Sequence, residues 1–390
     1  MCATTAGNWP IDGHCDPLFD AVRDAFHINF TADGDCGAAL CVMLDGQVVA
    51  DLWGGYTDRA QVNLWQRDTL VNVYSVGKGV LAMLALDSVA RGELELDQPL
   101  TALWPELAAE GKDRLSLRML LSHRAGLPAI RELLPAAAKY DWRRICSALA
   151  AQAPFWTPDT AHGYHTNTFG FLVGEALSRA AGRPARRLFH DRLQRERDTE
   201  FFWGVPRPMQ ARIAPMLLQQ DISIREQRRQ ALEQPPPDSP DAAAMRWRGY
   251  FNPPGLSGFG AVNTRAWRSA IIPSTNGHAN ARAVAGLYAD LLSGSRVGKA
   301  LLQEATRPHS EGIDRVLDRP ARYGLGFQLT HEKQAMGPGT AAFGHFGYGG
   351  ALGMADPDAQ LAFAYITNSP APRFQVSRTR HLLEAVYDRL

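Results

Sequence analysis

Along the chain, the spacing of apolar positions predicts the elements before any chemistry is considered. After Ser75, the residues Val76, Val80, Leu81, Met83, Leu84, Leu86 and Val89 leave no polar stripe. That pattern predicts a helix beginning at Ser75 and buried on most sides, ending near Arg91-Gly92, where glycine suits the position just past a helix end. Upstream, Leu18, Val22, Phe26 and Phe30 recur at helical spacing and predict an amphipathic helix over about 16–30. The apolar run 39–44, the pair Asp45-Gly46 and the return 48–53 predict a β-hairpin, because Asp-Gly between apolar strands favours a tight turn.

From residue 94 to about 250 strand patterns give way to helical ones, at 115–123, 137–151 and 169–181. Proline-rich runs at 205–208 and 235–240 read as loops, and the charged stretch 219–233 as a surface helix or flap. One more helix is expected at 281–292. Strand patterns return at 323–329, 341–344, 350–355 and 361–367, before a closing helix over about 376–390. The expected architecture is α+β, an α/β sandwich: an antiparallel sheet domain from 1–92 and 256–390, flanked by helices, with a mainly helical domain at 93–255 and a candidate lid at 205–255. At 390 residues the chain exceeds what one core usually holds, in keeping with two lobes.

Composition narrows the function classes. Hydrophobic residues make up 45% and charged residues 21%, as in an ordinary globular protein. A net charge of +1 gives no electrostatic reason to expect a nucleic acid or an anionic membrane as partner. The arginines are interleaved with acids, as in Gln194-Arg-Glu-Arg-Asp198, which suits solvated helix faces. Five cysteines without a Cys-x-x-Cys pair read as reduced thiols. The N-terminus shows no basic segment followed by an apolar one, and no apolar run is long enough to span a bilayer, so a cytoplasmic location is expected. Without His-Glu-x-x-His or a His/Cys cluster, neither a metal nor a cofactor is expected. The oligomeric state stays open.

Lys78 is the anomaly in the Ser75 helix. Lysine is almost never fully buried without a partner, and in a first helical turn its charge opposes the dipole. A serine one turn earlier supplies a reason: at i, i+3 both side chains share a face, so the amine can take the hydroxyl proton, while the free N–H groups of that turn can face developing negative charge. With 16 Ser and 5 Lys in the chain, a chance Ser-x-x-Lys is expected about 0.2 times, so the motif alone is weak. Taken alone it equally describes an N-cap serine and a snorkelling lysine.

Two distant stretches add weight. In 156–175 a proline-bearing loop delivers Tyr164 just before a helix. A phenol near a lysine ammonium would lose its proton more easily, and Tyr164 could then act as base toward Ser75 and acid toward a leaving group. In 343–357 a glycine-rich strand lets a ligand approach the backbone, whose N–H groups can join that of Ser75 in an oxyanion hole. Taken in isolation, the first stretch reads more readily as an aromatic anchor packing its loop, and the second as a bulged strand with glycine chosen for twist.

Together, Ser75-x-x-Lys78, Tyr164 and the late His345-x-Gly347 strand resemble the serine β-lactamase and penicillin-binding-protein superfamily, within it the family VIII carboxylesterases related to class C β-lactamases. The flanks Leu120-Leu-Ser-His-x-x-Gly126 and Pro158 support the likeness, which spans nearly the whole chain. The resemblance implies a β-lactamase/transpeptidase-like fold, with Ser75 as nucleophile, Lys78 as its activating partner and Tyr164 as acid/base. It also implies an oxyanion hole from the N–H groups of Ser75 and Tyr348, with His345 and Gly347 on the adjoining strand. Two departures stand out. Tyr164-His165-Thr166 replaces Tyr-x-Asn, with Asn167 one position late, and His345-Phe346-Gly347 replaces Lys-Thr-Gly. A mostly neutral histidine there implies weaker recognition of anionic β-lactams and tolerance of neutral esters. The expected activity is cleavage of short-chain esters, a small-molecule substrate, through an acyl-enzyme. Phe155, Trp156, Trp203, Tyr250, Phe251 and Tyr348 are candidates for an apolar pocket.

Alternatives on the same scaffold are a β-lactamase, D-aminopeptidase, amide hydrolase or acyltransferase; outside it, a silent binding or scaffold protein. No Gly-x-Ser-x-Gly occurs, since Gly255-Leu-Ser257-Gly-Phe259 fails at the last position. Gly337-Pro-Gly339 only superficially matches a dinucleotide fingerprint. His123 reads as a structural hydrogen-bonding residue.

Overall fold

A computed structural model describes residues 9–218, 234–371 and 377–390. The stretch 219–233, expected as a surface helix or flap, lies outside the described residues. The strands are β1 (Ile11–Cys15), β2 (Gly37–Leu44), β3 (Gln47–Gly55), β4 (Val71–Asn72), β5 (Phe201–Phe202), β6 (His278–Ala279), β7 (Ser310–Asp314), β8 (Arg319–Tyr323), β9 (Gln328–Leu329), β10 (Phe343–Phe346), β11 (Leu352–Asp356) and β12 (Leu361–Thr367). Nine form one antiparallel sheet in the order β1-β3-β2-β12-β11-β10-β9-β8-β7, and β4-β6-β5 form a small second sheet. The two chain halves meet where Ala38 to Leu44 pair with Thr367 to Leu361. Asp45 and Gly46, both at positive φ, make the two-residue turn between β2 and β3.

The alternation along these strands sorts the core into two layers. Leu40, Val42, Phe363 and Tyr365 face one cluster with Val22, Phe26 and Phe30 of the helix Asp20–Thr31 and Leu382 and Val386 of the helix Ser377–Tyr387. Their neighbours Ala39, Cys41, Ala362, Ala364 and Ile366 face the other, against the helices Val76–Ala90 and Ala281–Ser293. Small residues dominate that second face, which lets those helices sit close to the sheet. The Val76–Ala90 helix is buried from Val76 through Ser88. The protein thus has the α+β, β-lactamase-type fold expected from its sequence.

The differences lie at the sheet edges and in the glycine-rich stretches. β1, β7 and β8 are edge or near-edge strands, solvated enough to lack an apolar alternation. The expected strand 323–329 is broken: Gly324 and Gly326 bend the chain between β8 and β9, and the Gly326 N–H donates to Leu121 O at 2.9 Å. The helices Ala242–Phe251 and Lys299–Thr306 also escaped the sequence pattern. Between 93 and 255 the described elements are helices and 3-10 turns, except β5, which pairs with β6. Among the described residues no helix is long and apolar enough to cross a membrane.

Candidate active site

The site starts at a strained turn. Tyr74 holds φ +48°, a left-handed conformation costly for a bulky residue, and this turn leads from β4 into the Val76–Ala90 helix. Ser75 occupies the N-cap position, yet its hydroxyl caps no backbone N–H. Instead its Oγ lies 3.0 Å from Lys78 Nζ, whose other contact is Ser274 O at 3.2 Å. Lys78 is fully buried, and no carboxylate perturbs its charge, so burial alone holds its pKa well below the ordinary amine range. The glycines on either side of it explain the depth. A Cβ on Gly77 would sit 2.6 Å from Pro273 O, and one on Gly79 2.4 Å from Tyr288 Oη. Gly77 thereby admits the 273–274 backbone that receives the amine.

Ser274 is a residue the sequence reading missed. Its hydroxyl accepts from Gly170 N–H at 2.7 Å while its carbonyl accepts from Lys78, so it links the amine to the Thr168–Ala180 helix. Only the unusual Gly-Lys-Gly flank hinted at such a close backbone approach.

Tyr164 enters on the facing loop. Lys78 Nζ lies 4.8 Å from its ring centroid. Its hydroxyl is buried and near enough to Ser75 to interact with it, but makes no fully formed hydrogen bond. The phenol pKa is displaced upward, chiefly by burial, so the expected easy loss of its proton is reversed: no paired ammonium offsets the desolvation. The loop is held by polar groups. His165 accepts from Leu127 N–H at Nε2 (3.0 Å) and donates from Nδ1 to Gly163 O (2.7 Å), while its own N–H donates to His123 Nδ1 (3.2 Å). Both imidazoles are buried and stay neutral, His165 with its pKa pushed down to about 3. Asp314, also missed from the sequence, accepts the Tyr164 N–H at 3.1 Å.

The third wall is β10 and the turn after it. A Cβ on Gly347 would meet Val73 O at 2.5 Å, so glycine lets this strand end abut the turn before Ser75. The Tyr74 and Tyr348 rings lie 5.4 Å apart there. From Tyr348 the rings continue to Phe259 (6.1 Å), Phe251 (5.7 Å) and Trp247 (6.0 Å). The six aromatics that were candidates for an apolar pocket divide. Tyr348 and Phe251 belong to this wall, and Tyr250 sits beside Thr166 and Tyr164. Phe155 and Trp156 are buried with Ala129, Met245 and Val316 behind the Tyr164 loop. Trp203 packs between Phe189 and Phe201 and donates from Nε1 to Pro273 O at 3.0 Å. Phe259 and Trp247, in an irregular loop and a helix without apolar periodicity, gave no signal in the sequence.

A profile of the Beta-lactamase family matches residues 29–387. The chain belongs to the beta-lactamase family. It is similar to the esterase/beta-lactamase LipL of Mycobacterium tuberculosis, 31% identical over 368 residues, covering 91% of this chain and 82% of that one. It also resembles the solved structure of a family VIII carboxylesterase, at TM-score 0.87 and 33% identity, covering 98% of this chain and 100% of that one. A penicillin-binding protein homologue from Caulobacter crescentus compares at TM-score 0.86 and 31% identity, again over 98% and 100%.

Two positions set this beta-lactamase-family protein apart from the usual motifs. Asn167 is fully buried and serves as a brace: Nδ2 donates to Gly249 O (2.7 Å) and Ser257 Oγ (2.8 Å), and Oδ1 accepts from Thr275 Oγ1. Thr166, in the Tyr-x-Asn position, points its buried hydroxyl at the Gly249–Tyr250 region. His345 stands tilted against the Tyr164 ring at 6.0 Å. Its Nδ1 bonds to Phe346 O at 2.8 Å, which leaves Nε2 unprotonated and, in this structure, without a partner. Burial, with the Lys78 charge second, pushes its pKa down to about 3. Where the family pattern has a lysine cation, this site offers a neutral ring.

Proposed function

We propose that the protein is a serine carboxylesterase that cleaves short-chain, neutral carboxylic esters through an acyl-enzyme on Ser75. The observation that carries this reading is the amine of Lys78, buried away from any carboxylate and 3.0 Å from the Ser75 hydroxyl. A neutral amine gives an N–H to Ser274 O and keeps its lone pair for the serine proton. Ser75 Oγ then attacks the ester carbonyl as its proton passes to Nζ. The N–H groups of Ser75 and Tyr348 receive the oxyanion at the start of the helix, where the dipole favours negative charge. When the tetrahedral intermediate collapses, the C–O bond to the alcohol breaks. The Tyr164 phenol gives its proton to the departing oxygen and is restored from the Lys78 ammonium. Water repeats the sequence in reverse on the acyl-enzyme. The aromatic wall from Tyr348 to Trp247 suits an apolar acyl or alcohol group, and the neutral His345 matches a substrate without a carboxylate.

Ser75→Ala is expected to lower p-nitrophenyl acetate turnover by at least about 10⁴-fold while the far-UV spectrum is unchanged. Undiminished turnover, or an intact mass without an acyl adduct on the parent enzyme, would refute the assignment. A second reading, weak β-lactam hydrolysis, is favoured by the same serine–lysine pair; nitrocefin compared with the nitrophenyl ester measures its share.

A further inference from the structure

Asp314 ends β7 and is fully buried. Among the described residues it has no ion-pair partner within 4 Å, and a carboxylate buried without a cation is costly. All its bonds go to neutral donors. Oδ1 accepts from the N–H groups of Val316 and Leu317 (2.8 Å each) and of Tyr164 (3.1 Å), and Oδ2 accepts from the Tyr323 hydroxyl (3.1 Å). The first two merely close the β7–β8 turn, which an exposed carboxylate could do equally well. The other two reach Tyr164: its main chain directly, and its ring through Tyr323, which lies parallel to it within 14° at 6.2 Å. The same turn clamps the loop again, with Arg315 N–H donating to His162 O at 3.0 Å and Gly163 pressed against Val316.

Resting on the esterase reading above, we propose that Asp314 is a positioning residue for acid catalysis: its carboxylate fixes the Tyr164 loop so that the phenol faces the departing alkoxide. The step it serves transfers the Tyr164 Oη proton to the leaving oxygen as the acyl C–O bond breaks. Its negative charge also opposes ionisation of the phenol, which keeps that proton available.

The test compares two acetyl esters that share an acyl-enzyme and differ in their need for this proton. Ethoxide must be protonated to leave; nitrophenolate need not be. Asp314→Ala should lower kcat/KM for ethyl acetate by about 10-fold or more and leave p-nitrophenyl acetate within about 3-fold. Asp314→Asn keeps the oxygen acceptor but loses charge assistance, so its ethyl-to-nitrophenyl ratio should fall between those of Ala and the parent. Equal loss on both esters, or no loss on either, overturns the proposal. If Asp314→Ala does not fold, Asp314→Asn decides, and a ratio matching the parent rejects the role. Loss of both activities in Ser75→Ala tests the esterase reading separately, because it does not depend on the leaving group.

Discussion

Two buried lysines in this molecule differ in the partners their amines find. Lys78 and Lys112 both expose no surface. Lys112 donates to two backbone carbonyls, Ala109 O at 2.6 Å and Gln152 O at 2.5 Å, and feels the charge of Glu110, which partly offsets its burial. Lys78 has one carbonyl, a serine oxygen and no acid. Lys112 therefore ties the 105–111 turn to the end of the Trp142–Ala151 helix, and removing its side chain takes the donor from Gln152 O, while Ala109 O keeps the Lys112 backbone N–H at 3.3 Å. Lys78 satisfies little and destabilises the fold by its burial. What burial gives it is a pKa well below the ordinary amine range, beside a hydroxyl. On the esterase reading, burial of the same side chain serves stability in one place and reactivity in the other, and the difference lies in the partners.

The same substitution at both sites should break the comparison open. Lys78→Met is expected to lower kcat for short esters by about 10³-fold or more, since the serine loses its proton acceptor. It should also raise Tm by about 2–4 °C, because an apolar group of similar volume replaces a desolvated amine. Lys112→Met should leave kcat within about 2-fold and destabilise by about 1–3 kcal/mol through the Gln152 carbonyl left without its donor. Thermal melts beside steady-state assays on both variants check the opposite signs. A drop in Tm for Lys78→Met would mean that the amine stabilises its surroundings after all.

The pH dependence sharpens the contrast. The folded pKa of Lys78 lies below its unfolded value of about 10.4, so between the two the unfolded chain binds more protons. Parent stability should therefore rise with pH across that window, and the Tm advantage of Lys78→Met should shrink from about pH 6 to about pH 9. The kcat/KM of the parent should fall in acid as Lys78 protonates, with no such limb from His345, which stays neutral down to about pH 3. The smallest effect concerns that histidine. His345→Lys should raise nitrocefin turnover relative to ester turnover several-fold, by returning a cation for the lactam carboxylate; a ratio that stays put would show that the neutral ring does not set this preference.

Part of this was written in local pattern. The buried helix after Ser75, the Asp45-Gly46 hairpin and the β2–β12 type of strand follow from periodicities of 3.6 and 2. Ser75, Lys78, Tyr164 and His345 were nameable because their spacing resembled a known family. Their supports were not nameable. Ser274 and Asp314 lie roughly 200 and 150 residues from the groups they hold, in segments with no periodic signal. β7, which carries Asp314, reads as polar because an edge strand meets solvent on its outward face.

The sequence alone determined which side chains are candidates for chemistry here, because the proposed nucleophile, its proposed base and the helix start are encoded within four consecutive residues. The tertiary structure decided their protonation and aim. A pKa depends on every atom that displaces water, and those atoms come from the 273–274 backbone, the β7–β8 turn and the end of β10. Their approach is set by glycines at 77, 79 and 347, whose missing Cβ atoms leave room for a contact without specifying which one is made.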